Sequence, residues 1–193
     1  MDDLRDAKTY GEIGSILSVF GIFIPYAGLL LLIAGLVLEI LAVDKISHLL
    51  NTKEIFKNYL ISIVVEVVGI VSTLIFGVAS LVLIFASALP VSSMNSILRF
   101  RFGSLLVFLF AILLVLWVTF VISAMFLKKS FDLMASKLNV PLFSTSALLY
   151  LIGAVLTILV VGFFIVFIAS ILKIVAYSNI PETLTQTPSS TQS

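Results

Sequence analysis

The chain has no cysteine, a single histidine and little charge, and each shortage removes a class of chemistry. Without cysteine there are no disulfides, no thiolate metal ligands and no thiol redox couple. His48 alone cannot assemble a histidine zinc site, a catalytic triad or haem ligation within one chain, and its polar surroundings make it a solvated loop residue. There is no Gly-x-Ser-x-Gly, no phosphate-cradling Gly-x-x-x-x-Gly-Lys and no paired acidic motif of a phosphotransferase. No enzyme, cofactor or metal is expected. Charged residues make up 11% of the 193, with eleven basic against ten acidic, so no basic field exists to recruit nucleic acid.

What is present is apolar: 61% of residues are hydrophobic and the mean hydropathy is +1.28. A soluble domain of this length could not hide that much apolar surface. The fold class expected is an all-α integral membrane protein, with residues 1–180 forming one transmembrane domain and residues 181–193 a disordered Ser/Thr/Pro tail unable to bury anything. The opening residues mix acid and base, unlike a secretory signal, so the first segment is expected to be retained.

Residues 11–43 form an apolar run of about thirty, more than the roughly twenty one crossing needs, broken only at Ile24-Pro25-Tyr26-Ala27-Gly28. It is one kinked helix or two helices meeting at the proline. Pro-Tyr-Ala-Gly is good turn chemistry, with proline suited to the first position of a new helix. Gly14, Ser18 and Gly21 share one face, and Gly28 and Gly35 give the next stretch a smooth stripe for close helix packing. Residues 44–58 are polar; Ile46, Leu49 and Leu50 could lie on the membrane interface, and Asn51 with Glu54 resembles a capping box. The next run, residues 59–89, carries Gly69, Thr73 and Gly77 at four-residue spacing, a second packing stripe. Pro90 ends it, and residues 91–102 read as a loop with Arg99 and Arg101.

Residues 103–127 read as one crossing, with Trp117 near its middle as a packing or lipid-facing residue. In residues 128–146, Phe131, Met134 and Leu138 oppose Lys129, Asp132, Ser136 and Lys137, which predicts a short amphipathic helix on the membrane surface ending at Pro141. The last run is residues 147–177. Its Ile152-Gly153 and Leu156 echo Ile13-Gly14 and Leu17, while Gly162, Leu172, Ile174, Ala176 and Ile180 echo Gly28, Leu38, Ile40, Ala42 and Ile46, a suggestion of an internal repeat.

Charge chooses between kink and hairpin. With a hairpin at Pro25, the amino terminus and the segments around His48 and Asp132 share one side, holding eight basic residues against three. With a kink the count is five against six. The positive-inside rule favours the hairpin, with the amino terminus cytoplasmic in the cell membrane and Tyr26 and Arg99 outside. Tyr10, Tyr26 and Tyr59 then fall at span ends, where amphipathic rings prefer to sit. A second hairpin in the last run would bring Lys173 to the same side, but that run has no proline or polar turn at its centre. Five transmembrane helices are therefore expected, with six as the alternative.

Several segments carry a family likeness: Lys8-Thr9 with Gly11 and Ile13-Gly14; Phe23-Ile24-Pro25-Tyr26-Ala27-Gly28; Ile55-Phe56-Lys57-Asn58. The carboxy-terminal half is stronger, in Phe126-Leu-Lys-Lys-Ser-Phe-Asp-Leu-Met-Ala, Leu142-Phe143, Leu149-Tyr-Leu-Ile-Gly-Ala-Val-Leu-Thr-Ile and Ala176-Tyr-Ser-Asn-Ile-Pro. Together they resemble the family known as domain of unknown function 996, uncharacterised multi-pass proteins of archaea and bacteria. The likeness covers nearly all of the chain except the tail. It implies an architecture and a membrane address but no activity, and no functional residue transfers. Where the family leads one to expect two phenylalanines after Ala176, this chain has Tyr177 and Ser178.

The unusual constellation is Glu12, Glu39 and Glu66, carboxylates inside apolar runs, where a charge costs about 2.5–3.5 kcal/mol at mid-helix. Glu12 and Glu39 lie roughly 20 Å below the Pro25 turn at 1.5 Å per residue, and Glu66 roughly 13 Å past Lys57. In the bland reading Glu12 pairs with Lys8 and Glu39 reaches the headgroups. The sharper reading is a shared polar site in which Glu39 faces Glu66 and the pair keeps a proton or holds a cation, with Lys173 as counter-charge only if the last run is a hairpin. Two functions follow: a membrane scaffold or interaction protein, expected first, or a small ion or proton channel, transporter or accessory subunit. The partners expected are the lipid bilayer and, within it, a second copy or another membrane protein; nucleic acid is not one.

Overall fold

The structure, a computed structural model, describes residues 4–21, 23–86 and 94–182, with residues 83–86, 94–102, 104 and 105 described by backbone alone. The described residues form six α-helices and no strand: α1 Arg5–Gly21, α2 Gly28–Leu49, α3 Lys53–Ala86, α4 Met94–Leu138, α5 Leu142–Leu156 and α6 Val161–Ser178, with a 3₁₀ turn, Thr157–Leu159, before α6. Four stretches are long and apolar enough to cross a membrane: Lys53–Val82, Leu106–Leu138, Leu142–Leu159 and Val161–Ser178. The tail beyond residue 182, expected to be disordered, and the span end expected at Pro90 lie outside the described residues.

The helices pair as hairpins, and the hairpins close into a ring. Besides α1 on α2, α3 on α4 and α5 on α6, α2 packs on α3, α4 on α5, and α6 returns to α1. Glycine makes the first closure possible. A Cβ on Gly28 would lie 2.3 Å from the carbonyl oxygen of Gly21, and one on Gly35 2.6 Å from that of Gly14. Pro25 sits in the turn, not at the first position of α2, and Tyr26 takes φ 66° there. Across the last seam, a Cβ on Gly11 would meet the ring of Tyr177 at 2.1 Å.

The last apolar run departs from the expected single span. It breaks at Val160, whose φ of 63° is a left-handed conformation that β-branched residues rarely adopt. What replaces proline or a polar turn is a backbone contact: a Cβ on Gly162 would lie 2.3 Å from the carbonyl oxygen of Gly153 and 2.2 Å from the Thr157 nitrogen. The echo of the first hairpin in the last one is thus structural, and Ala42 and Ala176, Ile46 and Ile180 are buried alike.

Three further expectations are corrected. Residues 128–138 do not lie on a surface as a separate helix; they continue α4, and Phe131, Met134 and Leu138 are buried in the core. Residues 94–102 are the start of α4 and not a loop. Asn51 and Glu54 form no capping box. Asn51 instead ends α2 in the left-handed conformation, φ 50°, with its N–H donating to the carbonyl of His48 and that of Thr52 to Ser47, the Schellman pattern. Asn139, φ 56°, ends α4 in the same way, with Val140 N–H donating to Ala135.

The tightly packed part of the molecule is one end of the ring. There Tyr59, Phe131, Phe143 and Tyr177, from α3, α4, α5 and α6, make successive ring contacts with centroids 6.3, 5.4 and 5.0 Å apart. Leu4, Val43, Ile46, Ile55 and Ile180 fill the same end, and Leu4 N–H donates to the Glu182 carbonyl, so both described termini meet there. Ile46 therefore lies in the core and not on an interface.

Candidate functional site

Directly beside the aromatic layer is a small central cavity, about 150 Å³, to which all six helices contribute side chains. Five supply a serine each: Ser18, Ser62, Ser123, Ser146 and Ser170, from α1, α3, α4, α5 and α6. The remaining helix, α2, supplies Glu39. Small hydroxyls permit close helix approach while keeping the lumen polar. Their protons are largely spent on backbone: Ser62 donates to Tyr59, Ser146 to Phe143 and Ser170 to Val166. Oxygen lone pairs are what remain to face the cavity.

Glu39 is held from two sides. Lys173 Nζ donates to both carboxylate oxygens at 2.7 and 2.9 Å, and the Tyr59 hydroxyl donates to Oε2 at 2.8 Å. The Glu39 side chain is only 5% exposed, so it does not reach headgroups, and Lys173 is 19% exposed. Gly14 makes room for it: a Cβ there would lie 2.9 Å from Glu39 N. Because α5 and α6 form a hairpin, Lys173 returns to the charged end of the ring, at the step of α6 corresponding to Glu39 on α2 in the repeat.

Glu66 lines the same cavity from α3. Ser123 Oγ lies 3.0 Å from the Ser62 carbonyl oxygen and 3.4 Å from Glu66 Oε2, its one proton shared between them. Among the described residues Glu66 has no ion-pair partner. With both carboxylates ionised the cavity carries two negative charges against the one positive charge of Lys173. Such a site attracts a small cation or a proton and repels anions. Among the described residues no three His, Cys, Asp or Glu side chains converge as a metal-ligand set.

Other sequence-predicted positions fall as follows. Glu12 is half-buried on α1, does not line the cavity and has no ion pair with Lys8. Gly69 packs hard on α4, where a Cβ would meet Thr119 Cγ2 at 2.3 Å. Gly77 has room, with its nearest neighbour, Ile112, at 3.9 Å, and the Thr73 hydroxyl is buried without a hydrogen-bond partner among the described residues. His48 is exposed, 3.5 Å from Asp44. Ser62, Ser123, Ser146, Ser170 and Tyr150 were not singled out in the sequence; Ser18 was read there only as a packing residue, and Tyr59, expected at a membrane interface, is instead buried against Glu39. The available signal was polar residues paired at helical spacing inside apolar runs: Tyr59, Ser62 and Glu66; Ser146 and Tyr150; Ser170 and Lys173.

A closed ring of apolar helices around a small charged cavity defines a helical-bundle protein, and among the described residues four helices are long and apolar enough to cross a membrane. The chain belongs to the family described as protein of unknown function (DUF996), whose model matches residues 31–171. It is also 35% identical over 184 residues, 94% of this chain and 96% of the relative, to a protein of Methanocaldococcus jannaschii named only as uncharacterized. No solved structure matches the chain.

Proposed function

We propose that the chain is a multi-pass protein of the cell membrane whose six helices hold a small cation or a proton in the central cavity, as a small ion- or proton-handling channel, transporter or accessory subunit. The amino terminus, the Asn51 and Asn139 turns and the carboxy-terminal end of α6 lie on the cytoplasmic side. One observation carries the ion reading: Glu66, without an ion-pair partner among the described residues, shares a cavity with the Glu39–Lys173 pair. An ionisable group at this depth is costly and commonly marks an ion or proton pathway. The serine oxygens beside it suit a dehydrated monovalent cation or a chain of water. A scaffold gains nothing from such a lumen, and its apolar equivalent would pack at least as well.

Purified protein in liposomes tests this. Wild type is expected to dissipate a proton or alkali-cation gradient, and Glu66→Gln to reduce the flux to that of empty liposomes. Wild-type liposomes that stay tight under every gradient would leave the scaffold reading in its place.

A further inference from the structure

A second space opens from the other face of Glu66. It is a cleft of about 520 Å³ bounded by α3, α4 and the turn between α5 and α6, within the roughly 300–1,000 Å³ range of small-molecule sites. Its wall is almost wholly apolar, with Phe110, Trp117, Phe120 and Phe163 supplying the aromatic surface. Glu66 belongs to both walls, and is the one formally charged group on this one.

The polar groups of the cleft decide the sign of what it takes. The indole N–H of Trp117 donates to the Val155 carbonyl at 3.0 Å, Thr119 donates to Val115 at 2.7 Å, and Thr157 to Gly153 at 2.8 Å. Every one of these side-chain donors is occupied, so no side chain of the cleft wall pairs an anion. What the cleft offers is one carboxylate, aromatic faces that attract cations, and apolar surface. A neutral acyl chain would fill the space but leave the carboxylate against hydrocarbon with no counter-charge, the costly arrangement. A compact inorganic ion would leave the aromatic wall unused.

We propose that this cleft binds a hydrophobic organic cation, an ammonium or phosphonium ion, with its charge on Glu66 and its body against Trp117 and Phe120. Val160 and Phe163 at the turn are exposed on the outer surface of the ring, so a molecule already dissolved in the bilayer reaches the cleft without crossing water. This names a substrate class for the ion-handling reading and rests on it for the role of Glu66: the organic cation and the proton or small cation compete for one carboxylate.

Trp117 is the single tryptophan of the chain, so its fluorescence reports the cleft directly. In an uncharged detergent, titration with tetraphenylphosphonium is expected to change Trp117 emission saturably, while size-matched tetraphenylborate produces no saturable change. Glu66→Gln is expected to weaken phosphonium binding by about tenfold or more, a factor that one lost charge pairing readily supplies. A measurement on wild type covers the case in which that variant fails to fold: tetraphenylphosphonium should slow carbodiimide labelling of Glu66, read by mass spectrometry, and tetraphenylborate should not. Equal binding of both ions, or labelling of Glu66 unchanged at saturating phosphonium, overturns the proposal. The two readings fail separately. Phosphonium binding without Glu66-dependent flux removes the ion pathway and keeps the cleft; flux without phosphonium binding does the reverse.

Discussion

Lys173 and Glu39 occupy matching steps of two similar hairpins, and their pairing joins α6 to α2 across the lumen. Both are largely shielded, so the pair is better judged by what breaking it costs than by what it adds. Removing one partner leaves an uncompensated charge, a loss of about 3–5 kcal/mol, whereas removing both together is often close to neutral. Lys173→Met is therefore expected to lower stability in detergent by about that amount, and Lys173→Met combined with Glu39→Gln by clearly less. Denaturant unfolding of the two single variants and the double checks this; strictly additive losses would mean that the two residues do not act as a pair. Tyr177 is a different case. Its ring closes the α1–α6 seam against Gly11, but its buried hydroxyl has no hydrogen-bond partner among the described residues. The position uses only the part of the side chain that a phenylalanine, the residue expected from the family, also has.

The stripe of Gly69, Thr73 and Gly77 on α3 is not used along its whole length. Only Gly69 is pressed against its neighbour, and that neighbour is Thr119, a β-branched residue with little freedom to turn away. Gly69→Leu is expected to cost about 1–3 kcal/mol as overpacking. Gly77→Leu, with its nearest neighbour at 3.9 Å, should stay within about 0.5 kcal/mol of wild type. Thermal unfolding of both in the same detergent separates them; equal destabilisation would mean that the α3–α4 contact runs as tightly at Gly77 as at Gly69. Helix ends show the same selectivity. Asn51 and Asn139 stop α2 and α4 by taking the left-handed conformation, so the turns between α2 and α3 and between α4 and α5 are short and the flanking helices begin again at once.

In the whole molecule charge and packing gather at one end. Asp6 with Lys45 ties α1 to α2 there, Ser144 hydroxyl with Asp132 ties α5 to α4, and Leu4 with Glu182 joins the described termini. In the proposed orientation this end is cytoplasmic, which puts nine of the eleven basic residues on that side. Because the chain has no cysteine, single-cysteine variants report sidedness cleanly. A cysteine at position 48 should resist an impermeant maleimide applied to intact cells, and one at position 26 should react. Labelling at 48 with silence at 26 would invert the orientation.

The apolar class, the first hairpin and the existence of ionisable groups inside apolar runs were legible in the sequence, because they depend on local quantities: hydropathy over a window, a proline with turn residues, a charge where none belongs. The second hairpin was not, because no residue at Val160 announces a turn; the reversal exists since Gly153 and Gly162 let two backbones touch, a pairing of distant residues that only packing selects. The site depended on that reversal. Glu39 and Glu66 could be named from the sequence, but which residue answers Glu39 followed from bringing Lys173 back to the same end, and Glu12 left the set because it does not line the cavity, to which α1 contributes Ser18. Local composition determined that charges would be buried. The closing of six helices into a ring decided which of them meet, since a lumen exists only when every wall is in place.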